Sequence, residues 1–231
     1  MDVKGKPGGG ARGTPAAPVP IVRAKRIGRD VEALCEAIEA YFEKLRAAGT
    51  VELTPRTVAP ATPAQLEAYE QKYGVVFPPG ARAFLLRGIR AAEGSVDGEG
   101  GHASIGFDFL DIAGVEKCTR LFRKLAKSQP DDDDDPDTEA HAQLLGRGIP
   151  LTWSEPQLVV LDGAVYHYSV RNPVKRVCGS WRDFLEAWLA AGCFSSHAFD
   201  VAWEKVKGVV GKKPGKNAWL DYYRKTFPDA R

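Results

Sequence analysis

Asp162-Gly163 constrains this chain more than any other pair of residues. It stands between QLVVL (157–161) and AVYHYSV (164–170), two short runs rich in β-branched and aromatic side chains. An Asp-Gly step adopts the positive φ values of a type I′ turn, whose twist matches that of the strands it joins. A β-hairpin is therefore expected, and with it an antiparallel sheet. Ala164, Tyr166, Tyr168 and Val170 share one face of the second strand, and Val165, His167 and Ser169 share the other. IPLTW (149–153) reads as a further strand just before the hairpin.

Helical periodicity brackets these strands. Asp30 is an expected N-cap for a helix whose Val31, Leu34, Ile38, Tyr41/Phe42 and Leu45 repeat at three- and four-residue steps before Gly49. After an extended stretch from Val51 to Val58, Thr62 and Gln65 form a capping box with Pro63 at the first helical position. That helix carries Leu66, Tyr69 and Tyr73 and ends at Gly74. Pro78-Pro79 makes an elbow before a second helix with the stripe Phe84, Leu85 and Ile89. Residues 93–101 (EGSVDGEGG) read as a polar loop, Ile105, Phe107 and Phe109 as a strand, and Val115, Cys118, Phe122 and Leu125 as one helical face. Ser180 caps a helix on which Trp181, Phe184, Leu185, Trp188 and Leu189 form a packing stripe. Helices around mainly antiparallel strands make an α+β domain with a central sheet.

Residues 1–29 contain six Gly and four Pro and few large apolar groups, so they read as a disordered tail. The domain spans 30–195, and 196–231 reads as a basic helical extension with stretches at 199–210 and 217–227. The formal net charge of +2 hides a strong asymmetry. Residues 1–29 carry seven basic groups against Asp2 (net +6), and residues 203–231 carry eight against three acids (net +5). Residues 30–202 hold 17 basic and 26 acidic groups, a net of −9. Such a distribution speaks to partners and association rates rather than to fold.

The motifs of common enzymes are absent from the sequence: no G-x-S-x-G, P-loop, H-E-x-x-H or dinucleotide fingerprint. His102, His141, His167 and His197 are isolated, and His167 alternates between two strand tyrosines as a packed or surface residue does. Asp108 and Asp111 are spaced as caps of the following helix rather than as an acid/base pair. Cys35, Cys118, Cys178 and Cys193 lie far apart without a C-x-x-C, so reduced thiols of a cytoplasmic protein are expected, with no zinc site and no disulfide framework. No apolar run of about 18 residues and no apolar leader segment occurs, so neither a membrane partner nor secretion is expected. The expectation is a non-enzyme without metal or cofactor.

What remains is binding. The carboxylates Glu93, Asp97 and Glu99 and the run Asp131, Asp132, Asp133, Asp134 and Asp135 form the candidate acidic surface. Consecutive Asp residues lack the alternating ligands and Gly turn of a calcium loop. Trp153, Tyr166 and Tyr168 are the aromatics expected to be half-exposed, as interface anchors are. The N-terminal tail lacks the interleaved aromatics of a nucleic-acid binder, so nucleic acid is not the expected partner.

The order of these segments resembles a known family. Thr62-Pro63-Ala64-Gln65-Leu66 with Glu70 and Gly74 opens it, followed by Phe77-Pro78-Pro79 and Phe84-Leu85-Leu86. Ile149-Pro150-Leu151, Val159-Val160-Leu161-Asp162-Gly163 and Val165-Tyr166 come next, and Ser180-Trp181 with Phe184-Leu185 closes the series. Over residues 60–192 this resembles the SUKH superfamily of bacterial immunity proteins, related to fungal cell-wall-synthesis regulators. The resemblance implies a non-catalytic protein that neutralises a cognate toxin, often a nuclease, by binding it. The Asp131–Asp135 run and both tails are additions to that pattern. Nucleases are commonly basic, so an acidic body suits such a partner. A second reading keeps an intracellular scaffold or regulatory module whose basic tails engage nucleic acid or another protein.

Overall fold

A computed structural model describes residues 21–48, 53–98, 101–128, 136–153, 157–169, 172–190 and 192–193. The chain runs α1 (Ile21–Ala48), β1 (Leu53–Val58), α2 (Pro63–Tyr73), α3 (Pro79–Arg87), β2 (Ile89–Gly98) and β3 (Gly101–Ile105). It continues α4 (Ile112–Ser128), α5 (Pro136–Arg147), β4 (Ile149–Pro150), β5 (Gln157–Leu161), β6 (Ala164–Ser169), β7 (Asn172–Cys178) and α6 (Trp181–Ala190). The α+β class holds, but the strands divide into two antiparallel sheets, ordered β1-β2-β3 and β4-β5-β6-β7.

The local signals that the sequence states most strongly are present. Thr62 Oγ1 accepts from the Gln65 N–H while Gln65 Oε1 accepts from the Thr62 N–H, so the capping box is closed. Gly74 ends α2 at φ 64, and its N–H donates to the Glu70 carbonyl. Asp162 and Gly163 have φ values of 48 and 87, as a type I′ turn requires, and Val160 pairs with Val165 across it. The Ser180 hydroxyl accepts from the Asp183 N–H at the start of α6.

Four expectations are corrected. Helix α1 begins at Ile21, not Asp30, because Ile27 packs against the core one turn before Val31 and extends the apolar stripe backwards. The EGSVDGEGG segment is not a loop: residues through Gly98 belong to β2, and β3 starts at Gly101. Its glycines lower strand propensity, but β1 pairs with β2 as far as Gly94 and β3 pairs with it from Gly94 to Gly98, and these ladders decide the conformation. Ile89 opens β2 instead of continuing α3, since Gly88 at φ 68 stops the helix. Phe107 and Phe109 follow β3 rather than extend it, and Phe109 bridges to Thr152 of the second sheet's side. The expected helices at 199–210 and 217–227, like residues 1–20, lie outside the described residues.

The core is one aromatic-rich cluster. Helix α1 packs on α3, α6 and β2, and α6 also covers β6 and β7. At their meeting point Phe107, Phe109, Trp181, Phe184 and Trp188 stack, tilt against one another or meet edge to face, with ring centroids 4.9–6.3 Å apart. Helices α4 and α5 pack together and cover the second sheet from another side.

Two carboxylates fasten helices to this core. Glu70 accepts from the Phe77 N–H and from Arg82 Nη1, both at 2.9 Å, and so fixes the proline elbow between α2 and α3. Glu39 on α1, 15% exposed, receives Arg87 in a two-pronged pair at 2.9 and 3.0 Å and the Arg90 N–H at 2.8 Å. The Arg87 hydrogen bonds hold the Glu39 carboxyl below the ordinary glutamate range, against the opposing effect of its partial burial. A folded-state value below the unfolded one adds stability that is complete above about pH 4.3 and lost as pH falls through the folded value. Glu39→Gln is therefore expected to lower the urea midpoint at neutral pH, by about 1–3 kcal/mol of stability. The gap to wild type narrows as the buffer is taken below pH 4.3 or so. A gap that stays constant down to acid unfolding would mean that the pair does not set the acid limb.

Candidate partner-binding site

Helix α4 is the element on which a surface site is built. Asp111 Oδ1 accepts from the Gly114 N–H at 2.7 Å and caps its first turn, so Asp111 is a cap, as its spacing suggests. Val115, Cys118, Thr119 and Phe122 form its buried stripe. The Thr119 hydroxyl is hydrogen-bonded to Tyr69 Oη at 2.7 Å and to the Val115 carbonyl at 2.8 Å, which locks α4 against α2. Burial pushes the Cys118 thiol up to about 11, so this cysteine packs rather than reacts. All four cysteines are buried and free, and burial raises each thiol.

Beside the buried stripe lies an apolar edge. Leu121 is 45% exposed and Leu125 is 41% exposed. Leu125 thus sits at the rim and not, as its spacing suggests, within the core. The leucines face Trp153, 44% exposed, across a cleft of about 270 Å³. Cys118, Phe122, Gln157 and Tyr168 complete its lining.

Trp153 is held firmly for a surface residue. Its N–H donates to the Asp108 carbonyl at 2.9 Å, and its carbonyl accepts from Gln157 Nε2 at 3.2 Å. The adjacent Thr152 hydroxyl accepts from the Leu158 N–H at 2.8 Å. The Lys117 ammonium lies 5.2 Å from the indole ring centre, a cation–π contact.

The residues singled out in the sequence are distributed unevenly. Trp153 and Tyr168 come together in the cleft, and Trp153 has the expected half-exposure. Tyr168 does not: it is 4% exposed, packed against Phe122 and His141, because α4 and α5 cover the face of β6 that alternation leaves open. Tyr166 is half-buried. Glu93 lies in the other sheet, on β2, where Arg56 of β1 pairs with it. Asp97 is on β2 opposite His102. Glu99 and Asp131–Asp135 lie outside the described residues.

The site residues that sequence reasoning missed are Leu121, Lys117 and Gln157. Leu121 had a legible signal, since it stands off the buried stripe of α4 between Arg120 and Phe122, next to the basic Arg123 and Lys124. Among the described residues no group of three or more His, Cys, Asp or Glu side chains is placed to hold a metal ion, and no helix is long and apolar enough to cross a membrane. Compared with protein-family models, with curated proteins and with solved structures, the chain matches none.

Proposed function

We propose that this chain is a non-catalytic binding protein of the immunity type, which neutralises a cognate toxin by covering it. The observation that carries the binding half of this reading is the fixed, half-exposed Trp153 beside an apolar cleft. Interface hot spots have this build: an aromatic anchor, a pocket and neighbours that exclude water. The ordered resemblance to SUKH proteins over residues 60–192 supports a toxin as the partner. The net −9 of residues 30–202 supports a basic one, such as a nuclease, because opposite fields speed encounter at low salt.

The test is co-expression with the product of the adjacent gene. A stable complex, loss of that product's toxicity and an association rate that falls with added salt are the expected results. A neighbour that is harmless, or that does not bind, counts against the immunity role. Trp153→Ala is expected to weaken the complex by about 2 kcal/mol or more while leaving the thermal midpoint within a few degrees.

A further inference from the structure

We infer that the α4 cleft receives an acidic amphipathic segment of a partner protein, its apolar side chains entering between Leu121 and Trp153 and its carboxylates meeting the basic face of α4. This inference rests on the binding role proposed above: the net negative body favours a partner that is basic as a whole, and the basic face of α4 takes a local acidic segment of that same partner.

The charge on α4 is the first support. The helix carries Lys117, Arg120, Arg123, Lys124 and Lys127 against a single acid, Glu116. Elsewhere in the described body the basic groups are largely matched: Arg56 with Glu93, Lys72 with Glu116, Arg82 with Glu70, Arg87 with Glu39, Arg147 with Asp162 and Arg182 with Glu186. None of the five cations of α4 takes part in an ion pair among the described residues. Among the described residues, positive charge without an ion-pair partner is thus concentrated on one helix.

Geometry is the second support. Lys117, Leu121 and Leu125 follow one another at four-residue steps, with Arg120 and Lys124 on the adjoining line, so apolar and cationic groups share one exposed face. A bound segment that places an apolar residue in the cleft therefore brings its neighbours within reach of at least two cations. Helices that bind in grooves present apolar anchors at i, i+3 or i+4, and i+7 in this way.

The cleft suits a protein segment better than the other anionic macromolecules. A stacked base needs a bare aromatic face, and Lys117 already lies over that of Trp153. Gln157, which would read a base edge, spends its amide N–H groups on the Trp153 carbonyl and the Cys118 sulfur. A bilayer meets convex or flat apolar surface, whereas this apolar surface is a recess sized for one or two side chains.

A phage-displayed library of random peptides about 16 residues long tests this, selected on the full-length chain and counter-selected on the Trp153→Ala, Leu121→Asp double variant. The expected peptides carry two or three large apolar residues at helical spacing and an excess of Asp and Glu. A synthetic copy of the strongest should lose at least about thirtyfold in affinity for Leu121→Asp. For Lys124→Glu the loss should be about threefold and should vanish at high salt. Lys124 is exposed, so this variant keeps the test independent of folding, and circular dichroism checks the other. Basic or uncharged peptides, or binding indifferent to both substitutions, overturn the inference. So does tight binding of a poly-dT oligonucleotide, or of vesicles of phosphatidylcholine and phosphatidylserine, that Lys124→Glu abolishes. A toxin complex untouched by Leu121→Asp sinks the cleft while leaving the immunity role standing. Acidic peptides selected by a chain that protects against no toxin uphold the cleft and remove the immunity role.

Discussion

Replacing Trp188 by alanine is expected to remove about 3–5 kcal/mol of folding stability. Trp188 is fully buried on α6 and joins three elements at once: its ring lies near Phe42 of α1, near Phe107 and Phe109 after β3, and near Phe184 one turn back on its own helix. Alanine leaves a void the size of an indole among rigid rings, which have few rotamers with which to fill it. Against a typical total of about 5–15 kcal/mol, such a loss takes a large share of the stability. Urea unfolding followed by circular dichroism measures it, with a lower midpoint and an unchanged slope as the expected pattern. A midpoint within error of wild type would remove Trp188 from the centre of the core.

Gly106→Ala is the second large effect, and its cause is different. Gly106 has a φ of 89, and a Cβ there would lie 2.0 Å from the Ala92 carbonyl oxygen of β2. Its N–H also donates to the Cys193 carbonyl at 2.8 Å, so the backbone cannot rotate away without breaking that bond. Clash, strained φ and a lost hydrogen bond combine, and more than about 3 kcal/mol is expected. Gly163→Ala is the comparison that separates the causes. Gly163 has nearly the same φ of 87, but nothing lies within 4 Å of a Cβ placed there. Conformation alone then acts, at about 1–2 kcal/mol. Equal losses at the two positions would show that contact with β2 is not what makes Gly106 a glycine.

These two glycines also show what could be read without a structure. Gly163 was legible because an Asp-Gly turn is a local matter, decided by two residues and the strands that touch them. Gly106 was not, because its requirement comes from Ala92 and Cys193, one 14 residues before it and the other 87 after. The β2–β3 pair was hidden for a related reason: β1 reaches β2 only as far as Gly94, and the residues beyond it are held by their ladder with β3. Tyr168 shows a further limit. Alternation correctly placed it on one face of β6, but whether that face met water depended on α4 and on α5, a helix with no strong signal of its own. Trp153 was anticipated as half-exposed, whereas its cleft needed Leu121 and Gln157, brought together from two distant elements.

The two backbone hydrogen bonds that hold Trp153 have an entropic consequence. A mobile surface tryptophan gives up rotational freedom when a partner covers it, and that cost subtracts from affinity. Here the N–H and the carbonyl of Trp153 are both hydrogen-bonded and Lys117 lies across its ring, so part of that freedom is already given up. More of the ordering cost of a complex at Trp153 then falls on the other molecule. Changes that pre-shape the partner's segment will lengthen the lifetime of the complex more than any further stiffening of this chain.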